Sequence, residues 1–150
     1  MQRPRVLHGP GFRCAVGGLQ GIHAWRFLVD TNAWMALFED APVLSERAAA
    51  LMEKSECVVS IASVWEAAIK VGLGKLKLPY DIRHDLPRIF EENGFQVLPL
   101  DLDIVASVKD LEPVHGDPFD RIQVVQAHKL GVAIINRDPV FEGYGLRRIW

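Results

Sequence analysis

Phe27-Leu28-Val29-Asp30-Thr31-Asn32 decides how the rest of the chain is read. An apolar triplet ends on an acid and runs directly into Ala33-Trp34-Met35-Ala36-Leu37-Phe38. That predicts a short buried strand followed by a helix over 31–38. The alternation continues outward. Asp40-Ala41-Pro42 ends the first helix. A second helix is expected over 45–54, with Ser45 as its N-cap. Cys57-Val58-Val59 reads as a second buried strand, and 63–71 as a helix stopped near Gly72 and Gly74. After a loop over 75–81, helices are expected over 82–93, 102–111 and 118–130, the first closed by Gly94 and the last by Gly131. Further strands are expected over 96–100, 132–135 and 146–150. Strands that alternate with helices and are apolar on both faces predict an α/β fold with a central parallel sheet covered on both sides.

Composition agrees with this reading. The chain has 150 residues, 49% hydrophobic and 24% charged, which suits one compact domain and excludes a disordered or collagen-like chain. No apolar run approaches the roughly 18 residues of a membrane span. Cys14 and Cys57 are too few for a disulfide scaffold or a four-ligand zinc site, so a cytoplasmic setting is expected. The net charge of −2 is unevenly distributed. Arg3, Arg5, Arg13 and Arg26 face no acid over 1–26, whereas the other 13 basic residues stand against all 19 acids. Residues 1–25 hold five glycines and no sustained period, and are expected to be a disordered or non-native extension ahead of a domain over 26–150.

Four acids carry the chemical interest. Functional groups of open α/β sheets gather beyond the carboxyl ends of the strands. Asp30 follows the first strand directly, and Asp138 follows the 132–135 strand closely. Asp120 shares a helical stripe with Val124 and Ala127, and Glu66 lies on a helix between Ala62 and Ile69. Each position also has a structural reading. Asp30 can cap the helix after it, and Asp138 can sit in a turn or cap. Asp117-Pro118-Phe119-Asp120 has the form of an N-cap, a proline at N1 and an acid at N3. Trp65 is expected in the core, and His115 and His128 on a loop and a helix surface. Taken together, carboxylates crowded into one place raise each other's pKa, and a hard divalent cation relieves them. Acids without His or Cys favour Mg²⁺ or Mn²⁺, which suit phosphodiester hydrolysis. Nucleotide-binding glycine loops, the nucleophile elbow and zinc-protease spacings are absent from the sequence.

At this point an ordered set of motifs resembles a known family. Phe27-Leu28-Val29-Asp30-Thr31-Asn32 is similar to the opening of PIN-domain nucleases. Ser63-Val64-Trp65-Glu66-Ala67-Ala68-Ile69-Lys70 resembles the second motif of their VapC-type toxin branch, followed by the loop Gly74-Lys75-Leu76-Lys77-Leu78-Pro79. His115-Gly116-Asp117-Pro118-Phe119-Asp120-Arg121-Ile122 resembles the third motif, and Asn136-Arg137-Asp138 with Phe141 and Tyr144 the fourth. Asn136 stands where that motif commonly has Ser or Thr. The resemblance covers about 27–150 and implies a three-layer α/β/α sandwich. It implies Mg²⁺-dependent endoribonuclease activity, with Mn²⁺ as the possible substitute, in the toxin of a toxin–antitoxin pair. Carried over by position, Asp30, Glu66, Asp120 and Asp138 are catalytic and metal-binding, and Asn32, Asn136 and Asp117 stand behind them. Lys70, Lys75 and Lys77 follow the Glu66 helix and are expected to guide the RNA backbone. The resemblance also implies a homodimer and an antitoxin partner. The alternative is a non-catalytic PIN module that binds RNA or a protein.

Overall fold

The computed structural model describes residues 26–39 and 41–150, so the expectations for 1–25 and for Asp40 lie outside the described residues. The described chain runs β1 (Arg26–Val29), α1 (Thr31–Phe38), α2 (Glu46–Lys54), β2 (Glu56–Ser60), α3 (Ile61–Gly72), α4 (Leu86–Glu92), β3 (Phe95–Leu98), α5 (Leu102–Ser107), α6 (Pro118–Leu130), β4 (Ala133–Ile135) and β5 (Arg148–Ile149). Two 3-10 helices, Val108–Asp110 and Pro139–Tyr144, complete it. All five strands are parallel, in the order β3-β2-β1-β4-β5.

The alternation of side chains along each strand divides the core into two layers. Phe27 and Val29 of β1, Cys57 and Val59 of β2, and Ile135 of β4 face a layer with Trp34, Leu37 and Phe38 of α1, Met52 of α2, Ala67 of α3 and Ile89 and Phe90 of α4. Leu28, Val58 and Ile134 face the other way, onto Val124 and Ala127 of α6 and Phe141 and Tyr144. The result is the expected α/β/α sandwich. The first layer has an aromatic centre: the Trp34 and Phe90 rings meet edge to face at 5.5 Å, and Phe38 meets Phe95 at 5.3 Å.

Several elements are shorter than the sequence pattern suggests, each for a local reason. The helix expected over 82–93 begins only at Leu86. Asp81 Oδ1 accepts the Arg83 and His84 amides, both at 2.8 Å, closing a turn in place of a helical start. Pro87 then sits in the first helical turn, where a missing N–H costs nothing. The helix expected over 102–111 stops at Ser107 and tightens into the 3-10 turn. The Arg121 guanidinium there takes the carbonyls of Val108 and Leu111. The strand expected over 96–100 ends at Leu98, before Pro99. Val132 drops out of β4 because its amide closes α6 on Ala127 O, beyond a left-handed Gly131 at φ 64°.

The sheet order places the site. β2 and β3 are laid down on one side of β1, and β4 and β5 on the other, so the connections diverge between β1 and β4. Crevices at such switch points are where open α/β sheets bind ligands. The Asp30 amide donates to Ile135 O at 3.1 Å, joining the carboxyl ends of these two strands.

Candidate metal centre

Asp30 occupies the N-cap position of α1, but its side chain makes no capping hydrogen bond, so a capping role does not account for it. It is 3% exposed. Burial raises its pKa to about 6; the hydrogen bond from Gln123 Nε2 to Oδ1, at 2.9 Å, opposes this, and the charge of Glu66 adds to it. The backbone N–H groups of Thr31 and Asn32 pull it down electrostatically. Asp120, in the first turn of α6, is raised to about 7 by partial burial, then by the charges of Asp30 and Asp117. Asp30 and Asp117 thus raise Asp120, and Glu66 of α3 raises Asp30.

Glu66 is held by a chain of hydrogen bonds. Trp34 Nε1 donates to Ser63 Oγ at 2.8 Å, and Ser63 Oγ lies 2.7 Å from Thr31 Oγ1. Thr31 Oγ1 donates to Glu66 Oε2 at 2.7 Å. Thr31 has one hydroxyl hydrogen, so Ser63 must be the donor in the pair between them. Lys70, one turn further along α3, donates to Glu66 Oε1 at 2.5 Å, and the ammonium pKa is raised chiefly by that bond. Lys70 therefore spends its charge on an acid of the site, while Lys75 and Lys77 lie exposed in the following loop.

His115, expected as a plain loop residue, belongs to the site. Its Nε2 lies 2.9 Å from Asp120 Oδ2. One ligand atom each from His115, Asp117 and Asp120 falls within 4.8 Å of the others. Asp117 keeps its capping role as well, since Oδ1 accepts the Phe119 and Asp120 amides at 2.8 and 3.2 Å. The loop is held from behind: the His115 amide donates to Tyr144 Oη at 2.9 Å, and Arg121 donates to the carbonyls of Glu112 and His115, both at 3.1 Å.

The fourth motif is placed differently. Asn136 is buried and follows β4, with its Oδ1 accepting the Asp138 amide. Asp138 is exposed, and its Oδ1 accepts the Val140 amide at 2.9 Å, capping the Pro139–Tyr144 helix. Asn32 is exposed in the first turn of α1. Trp65 is not in the core: it is 59% exposed, its ring edge to face with Phe119 at 5.2 Å.

Sequence reasoning missed His115, Gln123, Thr31, Ser63 and Trp34 as parts of the site. Gln123 did leave a signal, as a polar residue between Ile122 and Val124 in an apolar run. Thr31, Ser63 and Trp34 are recognisable only once α1 and α3 are laid side by side, and His115 only once its ring is seen against Asp120, five residues on. The site suits a divalent cation on two counts. Its donors are carboxylate oxygens with one imidazole, and two of its carboxyls are held in repulsive, partly buried surroundings that a cation neutralises. A cavity lined by Arg26, His128, Gly131 and Arg147 lies at the other ends of β1 and β4 and shares no residue with the acids.

Comparison with known proteins agrees with this architecture. No curated protein sequence matches the chain. Among solved structures, FitAB bound to the IR36 DNA fragment superposes with a TM-score of 0.56 at 18% identity, covering 82% of this chain and 93% of that one. FitAcB from Neisseria gonorrhoeae gives 0.56 at 19% identity, covering 83% and 96%. A toxin-antitoxin complex from Klebsiella pneumoniae gives 0.51 at 19%, covering 75% and 86%. At these identities the likeness is one of fold. The PIN domain family model matches residues 27–145, from the first strand to the turn before the last, and the chain belongs to that family.

Proposed function

We propose that the protein is a divalent-metal-dependent endoribonuclease acting as the toxin of a toxin–antitoxin pair. The observation that carries this reading is the pair Asp30 and Asp120, two acids raised well above the ordinary carboxylate range, first by burial and then by neighbouring acids, at the carboxyl edge of a PIN sheet. Carboxylates perturbed by burial and neighbouring charge are characteristic of functional sites. Asp30, Asp120 and Glu66 hold the ion, Mg²⁺ or Mn²⁺, with His115 and Asp117 beside them and Asp138 as an outer fourth acid. When bound, the ion supplies charge neutralisation for a phosphodiester and a more acidic water.

The chain's own residues do the remaining work. Thr31 and Lys70 hold Glu66 in one orientation, from which it meets the cation or the attacking water. Lys75 and Lys77 receive the RNA backbone beside the site, with Lys70 next to them already paired to Glu66, and Asn32 and Asn136 support the acids. The toxin assignment draws support from the likeness in fold to the Klebsiella pneumoniae toxin-antitoxin complex. An antitoxin partner, a homodimer and a cytoplasmic setting belong to the same reading. Among the described residues, no helix is long and apolar enough to cross a membrane.

The test is cleavage of total RNA by the purified protein with Mg²⁺, with EDTA, and with the Asp120→Asn variant. Cleavage that requires Mg²⁺ and Asp120 is expected; cleavage that survives both treatments overturns the reading. One observation favours the rival, a non-catalytic PIN module: both oxygens of Glu66 already have partners in Thr31 and Lys70. Absence of Mn²⁺ binding together with retained RNA binding would decide for it.

A further inference from the structure

Gln123 lies three residues after Asp120 on α6 and is wholly buried. Its neighbours Val124 and Val125 are buried apolar residues, and in such a position an aliphatic side chain of similar size is the inexpensive choice. Its Nε2 donates to Asp30 Oδ1 at 2.9 Å, joining residues 93 apart in sequence. Its Oε1 has no hydrogen-bond partner among the described residues. The orientation of the amide follows from its partner. An ionised carboxylate only accepts, so the NH₂ must face Asp30 and the carbonyl must face away. A buried carbonyl without a partner is a cost that packing alone does not explain.

We propose that Gln123 is a positioning residue for the metal site: it holds Asp30 by Oδ1 and so reserves Oδ2 for the divalent cation. A carboxylate free to rotate can offer either oxygen, or both, and the fixed bond removes that choice. Partners behind a metal ligand govern affinity in this way, typically by about 10–100-fold when lost. The inference rests on the metal-dependent reading above. It adds a residue that none of the motifs contains, and its basis is the bond, the burial and the orphaned carbonyl.

The test measures Mn²⁺ binding to the full-length, EDTA-treated protein by calorimetry, beside its thermal melt without metal. Gln123→Met keeps the side-chain size and removes the amide; Gln123→Asn keeps the amide but shortens its reach. Asp30→Asn reports on the site itself. The expected result is a melt close to wild type for Gln123→Met with Mn²⁺ binding about 10-fold weaker or more, and a comparable loss in Gln123→Asn. In the wild-type protein the Gln123 side-chain amide resonance should shift on Mg²⁺ titration, in step with binding; this readout needs no folded variant. Undiminished Mn²⁺ affinity in a folded Gln123 variant, with affinity lost in Asp30→Asn, overturns the positioning role alone. A resonance unmoved at saturating Mg²⁺ does the same. Wild-type protein that binds no Mn²⁺, or Asp30→Asn that binds it equally well, overturns the metal-dependent reading and this inference with it.

Discussion

The two sides of the acidic site are built on opposite terms. On the α3 side, Glu66 has both oxygens occupied, and the bonds run back through Thr31 and Ser63 to the Trp34 indole in the core. On the α6 side, Asp30 and Asp120 are held where burial and neighbouring acids penalise ionisation, beside a buried amide with an orphaned oxygen. One side is satisfied by the protein, which fixes Glu66 in one orientation. The other is left short of positive charge. The same residue type, a carboxylate, is held at ease or under strain according to whether its surroundings complete it.

The largest effect should come from the strained side. Asp120→Asn keeps the shape and removes one charge of the repelling pair. RNA cleavage should fall by roughly 10²–10³-fold, the scale of losing one charge partner of a reaction, while the metal-free protein melts at the same or a higher temperature. Gel-based cleavage and a thermal melt check both halves. A melt that drops along with activity would mean that Asp120 holds the fold together rather than being strained by it.

A pH series sharpens the contrast. Asp30 has a folded-state pKa of about 6 against an ordinary 3.8. The folded protein therefore binds the extra proton between those values, and the contribution of Asp30 to stability is greatest below about pH 4 and lost as pH rises to about 6. At about 1.4 kcal/mol per pKa unit, the loss is on the order of 3 kcal/mol. Asp120 acts in the same direction, up to about pH 7. Mg²⁺ takes over the role of the proton, so the rise in melting temperature on adding Mg²⁺ should be small at pH 5 and large at pH 7.5. Asp30→Asn should flatten that dependence, and an equal metal response at both pH values would contradict the electrostatic argument.

The sheet was legible in the sequence because its strands are short apolar runs closed by acids, glycines or prolines. Asp30 and Asp120 were legible because they stand at the end of a strand and on an apolar stripe. His115, Gln123 and the Thr31–Ser63–Trp34 chain were not, because their importance lies in pairings across elements: Gln123 meets Asp30 only when α6 packs beside β1. Trp65 misled for a related reason. A tryptophan at helical spacing reads as core, yet α3 turns that position towards solvent beside Phe119. Helix lengths over 82–93 and 102–111 were overread because Asp81 and Arg121 form hydrogen bonds that periodicity does not register.

The satisfied side makes its own prediction. Ser63→Ala removes the acceptor of the Trp34 indole and the donor to Thr31, leaving the buried indole N–H unpaired. Stability should fall by about 1–3 kcal/mol, read by urea unfolding. Metal affinity should change far less than in Asp120→Asn, because Lys70 and Thr31 still hold Glu66.

The smallest effect, and the finest division between scaffold and site, concerns Asp138. It follows β4 at the same edge of the sheet, but it is exposed and its Oδ1 caps the Pro139–Tyr144 helix through Val140 N–H. Two substitutions separate charge from cap. Asp138→Asn keeps an oxygen for the Val140 amide and discards the charge; Asp138→Ala discards both. If Asp138 is chiefly a cap, Asn should match wild type in stability and cleavage, and Ala should lose about 1 kcal/mol with only a minor change in rate. If its charge serves the cation, both variants should lose activity equally, and only Ala should lose stability. The capping bond predicts the first pattern with less than about a 10-fold activity loss, below the range for Asp120. Equal, large activity losses in both variants would move Asp138 from the satisfied side of the comparison to the strained one.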